Sequence, residues 1–126
     1  MYIYYDEKLD YAEVFFKKAP NYLSSTDRPF LGEFREEKND KIIGYAIDGV
    51  TQRLKKLDVL NPLQKFSLMV KISRQKKHLT QQEVANRMGI KLLPYQRIES
   101  GENNPTLKTI LKLKEVLPDI KLDLAA

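Results

Sequence analysis

The side chains in this sequence that could carry out covalent chemistry are few and scattered. The 126 residues include no cysteine and one histidine, His78, which excludes a thiol nucleophile, a Cys-ligated zinc site and a histidine-cluster metal site. Asp6 and Asp10 form a candidate carboxylate pair without a partner histidine, and acid–base catalysis requires a shaped pocket. We expect surface charges at Asp6 and Asp10 and a capping or solvent role for His78. The sequence predicts no metal site, no cofactor and no enzymatic activity.

The positive charge of the chain is concentrated in its second half. Residues 1–60 hold 10 Lys/Arg against 11 Asp/Glu, and residues 61–126 hold 12 against 6. A polyanion such as nucleic acid is one natural partner for such a segment, and a solvated basic face is the equal alternative. No stretch resembles a signal peptide or a membrane span, so we expect a cytoplasmic protein.

The first 60 residues predict a small antiparallel β-rich domain. Aromatic and β-branched runs predict strands at 2–5, 11–16, 30–37 and 41–47, the last two as a hairpin. Two prolines among Ser, Thr, Asn and Asp predict a loop at 19–29, and 50–57 is a candidate short helix. The acidic run 33–37 fits either a surface facing a basic partner or a solvated edge that discourages strand pairing. For the aromatic residues, core and interface packing is favoured over stacking on RNA bases.

Residues 61–126 predict helices with clear capping signals. Asn61 and Pro62 are typical of a helix start, and Thr80 with Glu83 forms a capping box. Gly89 and Gly101 are expected to end the next two helices, and 104–106 opens a fourth helix that stops near Pro118. The alternating residues 119–124 predict a strand.

The most specific pattern is LTQQEVANRMGIKLLPYQRIESGENNPTL, residues 79–107. Two short helices are joined by a tight turn at 88–90, which is the spacing of a helix-turn-helix whose second helix lies in the DNA major groove. Over 66–117 the chain resembles the Xre/Cro/phage-repressor family. The resemblance implies an all-α, lambda-repressor-like helix-turn-helix domain at 61–126. Together with the β-rich domain predicted at 1–60, it gives an α+β chain.

The resemblance also implies a role for individual residues. Gln81 matches the family residue that bonds a DNA phosphate at a helix N-terminus, and Arg74 and Glu99 match a buried structural ion pair. The expected DNA-binding residues are Thr80, Gln81, Lys91, Leu92, Leu93, Gln96, Arg97 and Asn103. We expect Lys91, Gln96 and Arg97 to point outward from the second helix.

The sequence departs from the family pattern at Leu92, Leu93 and Pro94, where family members read base edges. Base edges present hydrogen-bonding groups, whereas leucine can contact only thymine methyls and proline donates no hydrogen bond. Either Lys91, Gln96 and Arg97 carry the specificity, or this helix contacts protein instead. We favour DNA contact.

The wider stretch 97–124 is similar to antitoxins with an Xre-type domain, such as the HicB and HigA groups. This resemblance implies a DNA-binding repressor that also neutralises a small ribonuclease toxin and represses its own operon. The partners would be double-stranded operator DNA and a protein toxin, and a homodimer or higher even oligomer is expected on paired half-sites. The alternatives are a stand-alone transcription regulator and a protein-binding module whose helix-turn-helix has lost DNA binding.

Overall fold

The computed structural model describes residues 1–121 and confirms the α+β class expected from the sequence. The chain forms two compact units, Met1–Arg53 and Leu54–Ala126. The first unit is a five-stranded sheet followed by a short helix, and the second unit is helical within its described part. Residues 54–60, which the sequence analysis placed with the first half, belong to the second unit.

The sheet of the first unit is antiparallel throughout, with strand order β1-β2-β5-β4-β3. Its elements are β1 (Tyr2–Asp6), β2 (Tyr11–Phe15), β3 (Asn21–Ser25), β4 (Leu31–Glu36), β5 (Ile42–Asp48) and the short helix α1 (Val50–Arg53). The hairpin predicted from 30–37 and 41–47 is present as β4 and β5, with a register shift at Phe34/Arg35.

Glycine at position 44 allows two aromatic rings to meet over the middle of the sheet. Phe15 and Phe34 are both cross-strand partners of Gly44, and their ring centroids lie 4.5 Å apart. A Cβ atom at Gly44 would lie 2.4 Å from the carbonyl oxygen of Val14, so no larger residue fits there without displacing backbone. The central strand therefore combines a close backbone approach with aromatic packing.

One expectation for the first unit is wrong, and one of the two alternatives for its acidic run is excluded. The predicted loop 19–29 contains strand β3, an edge strand in which no residue is buried, so its polar composition resembles that of a loop. The acidic run 33–37 is not at an edge, because β4 lies between β3 and β5. Most of its charge is neutralised within the unit: Glu33 bonds Arg35, and Glu36 accepts from Lys17 at 2.9 Å.

The second unit consists of a short 3-10 turn and four helices within its described part. The turn covers Leu54–Lys56, and the helices are α2 (Pro62–Lys76), α3 (Gln81–Met88), α4 (Leu92–Ser100) and α5 (Leu107–Val116). The expected caps are confirmed: Asn61 and Thr80 accept from the third-residue amides at 2.8 and 3.0 Å, and Thr106 caps α5. Local sequence thus sets where α2, α3 and α5 begin.

Buried side chains of the helices pack into an apolar core. Its buried members are Phe66, Val70, Val84, Ala85, Met88, Tyr95, Ile98, Leu113, Leu117 and Ile120. The strand predicted for 119–124 is absent from 119–121, where Ile120 packs into this core instead, and the remainder of that prediction lies outside the described residues. No helix among the described residues is long and apolar enough to cross a membrane.

Candidate nucleic-acid interface

The turn between α3 and α4 is built around a glycine that is required for its dihedral angle. Gly89 has φ +72°, in the left-handed region, and the following Ile90 amide donates to the carbonyl of Ala85 at 3.0 Å. A Cβ atom at Gly89 would meet nothing within 4 Å, so backbone conformation rather than space favours glycine there. Gly101 ends α4 in the same conformation, with φ +67°. The two short helices therefore have sharply defined ends.

Each of these helices is fixed by an apolar face in the core. Val84, Ala85 and Met88 are buried on α3, and Tyr95 and Ile98 are buried on α4. The opposite face of α4 is consequently turned to solvent. This is the packing that a recognition helix requires, because the side chains that contact DNA must be exposed on a rigid support.

The exposed face of α4 carries an unusual mixture of side chains. Lys91 is the N-cap residue and is exposed, and it makes no side-chain capping hydrogen bond. Leu93 is 56% exposed, Pro94 and Arg97 are exposed, and Leu92 is only half-buried. Since Leu93 and Arg97 are four residues apart, they share one face of the helix.

Gln81 and Gln96 are held together and bonded to a buried carboxylate. The Gln96 side-chain amide donates to Gln81 Oε1 at 3.1 Å, and the Gln81 amide donates to Glu99 Oε1 at 3.2 Å. Gln96 is half-buried, not outward-pointing as Lys91 and Arg97 are. The relay joins the first turn of α3 to the middle of α4, so it fixes the relative position of the two helices.

Glu99 is the centre of this network and is only 3% exposed. The Arg74 guanidinium of α2 binds it in bidentate fashion, with Nε–Oε2 at 2.6 Å and Nη2–Oε1 at 3.1 Å. The buried Tyr95 hydroxyl also donates to Glu99. Burial and the Glu99 charge raise the pKa of Tyr95 well above its ordinary value. The structure thus brings Arg74 and Glu99 together and adds Tyr95 and Gln81, which sequence reasoning did not connect to them.

The remaining candidate DNA-binding residues lie at the surface. Thr80 is exposed, and its hydroxyl accepts from the Glu83 amide while its own amide donates to Glu83 Oε1. Arg97 is near Glu102, with Nε–Oε2 at 3.7 Å and both side chains about half-exposed. Asn103 is exposed just beyond the end of α4. Thr80 therefore has a structural role already, whereas Arg97 is only loosely paired.

The basic residues between 64 and 101 do not all contribute to a cationic surface. Arg74 is committed to Glu99, and Lys71 is half-buried, where burial lowers the pKa of its ammonium group. The exposed cations of this stretch are Lys76, Lys77, Arg87, Lys91 and Arg97.

The residues considered for catalysis have structural roles. Asp10, with φ +47°, accepts from the Tyr5 hydroxyl, the Thr51 amide and the Thr51 hydroxyl, and so caps α1. The Asp6 carboxylate accepts from the Leu9 amide in the β1–β2 turn. His78 lies just beyond α2 with φ +55°. Among residues 1–121, no three His, Cys, Asp or Glu side chains are grouped to hold a metal ion.

Comparison with known proteins confirms the helix-turn-helix prediction for the second unit. Residues 70–124 match a family model described as Helix-turn-helix, a range that begins within α2 and includes α3, α4 and α5. The chain is also similar to YqaE of Bacillus subtilis (strain 168), an uncharacterized HTH-type transcriptional regulator, with 38% identity over 58 residues. The aligned segment is 46% of this chain and 49% of YqaE, so the chain spans about half the length of the curated relative that it matches. The chain therefore contains a helix-turn-helix domain.

Proposed function

We propose that this chain is a sequence-specific DNA-binding transcription repressor. The observation that carries the proposal is the exposed face of α4, where Lys91, Leu93 and Arg97 project from a helix anchored by the buried Glu99. A helix-turn-helix presents its second helix to the major groove, and this surface supplies two cations for phosphate or base contacts. The similarity to a transcriptional regulator supports the same function.

A single helix-turn-helix makes few phosphate contacts, so useful affinity requires two copies on paired half-sites. The proposal therefore includes a homodimer or a higher even oligomer acting on double-stranded operator DNA in the cytoplasm. Lys91, Leu92, Leu93, Gln96, Arg97 and Asn103 remain the proposed contact residues, together with Thr80 and Gln81 at the start of α3. The mechanism is binding, without turnover and without a cofactor.

The proposal extends to an antitoxin of a type II toxin–antitoxin pair. In this function the sheet unit, proposed as the toxin-binding or dimerisation domain, masks a small ribonuclease while the helical unit represses the operon. The supporting observation is the outer strand β1, on which Tyr2 and Tyr4 share one face and are 53% and 42% exposed. Exposed tyrosines are typical of protein interfaces, since one side chain supplies both apolar area and a hydroxyl.

The DNA-binding function is tested on the duplex directly upstream of this chain's own gene. Binding is measured against a scrambled duplex over a series of salt concentrations. We expect the upstream duplex to be bound preferentially, with an affinity that falls steeply as the salt concentration rises. The variant Arg97→Ala should bind this duplex about tenfold or more weakly than the parent. Lys91→Ala should reduce the salt slope by about one. Lys114→Ala, an exposed cation of α5, is the matched control and should bind as the parent does.

The same experiment separates the alternatives. No preference for the upstream duplex at any salt concentration would contradict autorepression. The protein-binding alternative would then lead, and Leu92→Ala and Leu93→Ala should abolish binding of a protein partner. Retained DNA preference without any toxin partner would favour the stand-alone regulator.

The antitoxin function is tested with the product of the neighbouring reading frame. That product is expressed alone and together with this chain, and growth and RNA cleavage are measured. We expect growth arrest when it is alone, rescue by this chain, and loss of rescue in Tyr2→Ala with Tyr4→Ala. Arg97→Ala should still rescue, because it alters the DNA surface only. Failure of the parent chain to rescue would contradict the antitoxin function and leave DNA binding untouched.

A further inference from the structure

Leu93 is an apolar side chain exposed at the point where the helix-turn-helix presents its recognition face. Scattered exposed leucines are ordinary in soluble proteins and need no explanation by themselves. This one differs in its position: it is 56% exposed in the first turn of α4 and shares its face with Arg97. The preceding Leu92 is half-buried, so of the two adjacent leucines it is Leu93 that projects outward.

The neighbouring polar side chains on α4 are largely engaged within the domain. Gln96 donates to Gln81, Gln81 donates to Glu99, and Tyr95 is buried against the same carboxylate. From Leu92 to Ile98 the exposed residues are Leu93, Pro94 and Arg97. Among these three side chains, only the guanidinium can donate a hydrogen bond to a base edge.

Thymine provides the matching chemistry, because its 5-methyl group is the apolar feature that a base pair presents in the major groove. We propose that α4 reads a thymine methyl through Leu93, so that each half-site of the target DNA carries a thymine at one fixed position. This inference rests on the proposed DNA binding and specifies the class of sequence that is bound.

The position of Arg97 further restricts the base sequence of the half-site. Leu93 and Arg97 are separated by four residues, or about 6 Å along a helix that rises 1.5 Å per residue. Base pairs are stacked about 3.4 Å apart, so the two side chains reach base pairs no more than about two steps apart. A guanidinium pairs best with the O6 and N7 atoms of guanine. Its exposed pairing with Glu102 at 3.7 Å costs little to release. Where Arg97 contacts a base and not a phosphate, the half-site holds a guanine within about two steps of the thymine.

The test uses the full chain and a pool of random-sequence duplex DNA. Bound duplexes are enriched and sequenced, and each thymine of the enriched site is then replaced singly by uracil, which removes only the methyl group. We expect one thymine per half-site at which uracil weakens binding about fourfold, as for one lost buried methyl. In Leu93→Ala, the thymine and uracil duplexes should bind equally. Leu111→Ala, which alters a leucine 53% exposed on α5, is the matched control and should keep the difference.

The outcomes separate this inference from the function on which it rests. If the pool yields no enriched sequence, the DNA-binding proposal fails, and the thymine reading fails with it. If a sequence is enriched but no thymine is sensitive to uracil, the reading by Leu93 is overturned and DNA binding stands. If Leu93→Ala still distinguishes thymine from uracil, the assignment to Leu93 is overturned.

Discussion

The buried carboxylates of the two units differ in what they join. In the helical unit, Glu99 receives hydrogen bonds from Arg74 of α2, Gln81 of α3 and Tyr95 of α4, and it is almost inaccessible to solvent. In the sheet unit, the nearest equivalent is Glu36, which is bonded to Lys17, a residue whose side chain is 57% exposed. The centre of the sheet is stabilised instead by packing, through the close backbone approach at Gly44 and the contact between the Phe15 and Phe34 rings.

This difference follows from what each architecture must fix. Strands in a sheet are already joined by backbone hydrogen bonds, so register determines which side chains meet. Short helices have no such backbone connection to one another, and α3 and α4 have only 8 and 9 residues. A carboxylate that accepts donors from three helices sets their relative positions, and with them the exposed face of α4.

The largest effect should come from removing the charge at the centre of the helical unit. Glu99→Gln leaves the Arg74 guanidinium, whose side chain is 11% exposed, without its charged partner. We expect the free energy of unfolding of the helical unit to fall by about 3–5 kcal/mol, measured by urea denaturation followed by circular dichroism. Glu33→Gln in the sheet is the matched control, because its partner Arg35 is 32% exposed. The control should cost less than about 1 kcal/mol, and equal costs would contradict the contrast.

Gly44 and Gly89 are required to be glycine for different physical reasons, the first for lack of space and the second for its dihedral angle. Gly44→Ala would place a Cβ atom 2.4 Å from the Val14 carbonyl oxygen and 3.0 Å from the Phe15 ring, so we expect a loss of about 2–3 kcal/mol. Gly89→Ala meets no atom but keeps φ +72°, so it should cost about 1–2 kcal/mol. Hydrogen exchange of backbone amides locates each loss: in the strands for Gly44→Ala and in α3 and α4 for Gly89→Ala. The reverse order of cost would contradict the steric role of Gly44.

Acid is expected to destabilise the sheet unit through protonation of Glu36. The hydrogen bond from Lys17 lowers the pKa of Glu36 from its ordinary value of 4.5, against the opposing effect of burial. Because the folded-state pKa is the lower one, this stabilisation is complete above about pH 4.5 and is lost as the pH falls through the folded-state pKa. Urea denaturation of the sheet unit at a series of acidic pH values should show this loss. Glu36→Gln and Lys17→Met should both make the dependence shallower, and an unchanged pH profile in either variant would contradict the pairing.

The sequence predicted the parts of this molecule that depend on neighbouring residues. Thr80 and Glu83 cap α3, and Gly89 ends it, because each acts within one turn of the chain. The strand β3 was missed, since an edge strand with no buried residue has the composition of a loop. The Gln96–Gln81 hydrogen bond was also missed, because it joins residues 15 apart and depends on how two helices pack. The sequence pattern predicted the helix-turn-helix and the exposure of Lys91 and Arg97, but not that Gln96 is half-buried.

The smallest effect is a gain at the end of α2. Helices α3 and α4 are followed directly by glycines in the left-handed conformation, whereas α2 is followed by Lys77, with φ −89°, and then by His78, with φ +55°. The His78 amide donates to Gln75 and the Leu79 amide to Arg74, so the turn depends on this dihedral angle. We expect His78→Gly to raise the urea midpoint of the helical unit by an amount equivalent to about 0.5–1 kcal/mol, since glycine adopts this conformation without steric cost.

His78→Ala separates the backbone from the side chain in this prediction. Alanine keeps the Cβ atom that makes a left-handed residue unfavourable, so it should give no gain. If alanine and glycine stabilised α2 equally, the imidazole itself would be the source of the cost and the backbone explanation would be wrong. If only glycine stabilises, the α2 end carries strain that the ends of α3 and α4 avoid. The helical unit then depends on Glu99 rather than on ideal helix ends to hold α2 against α4.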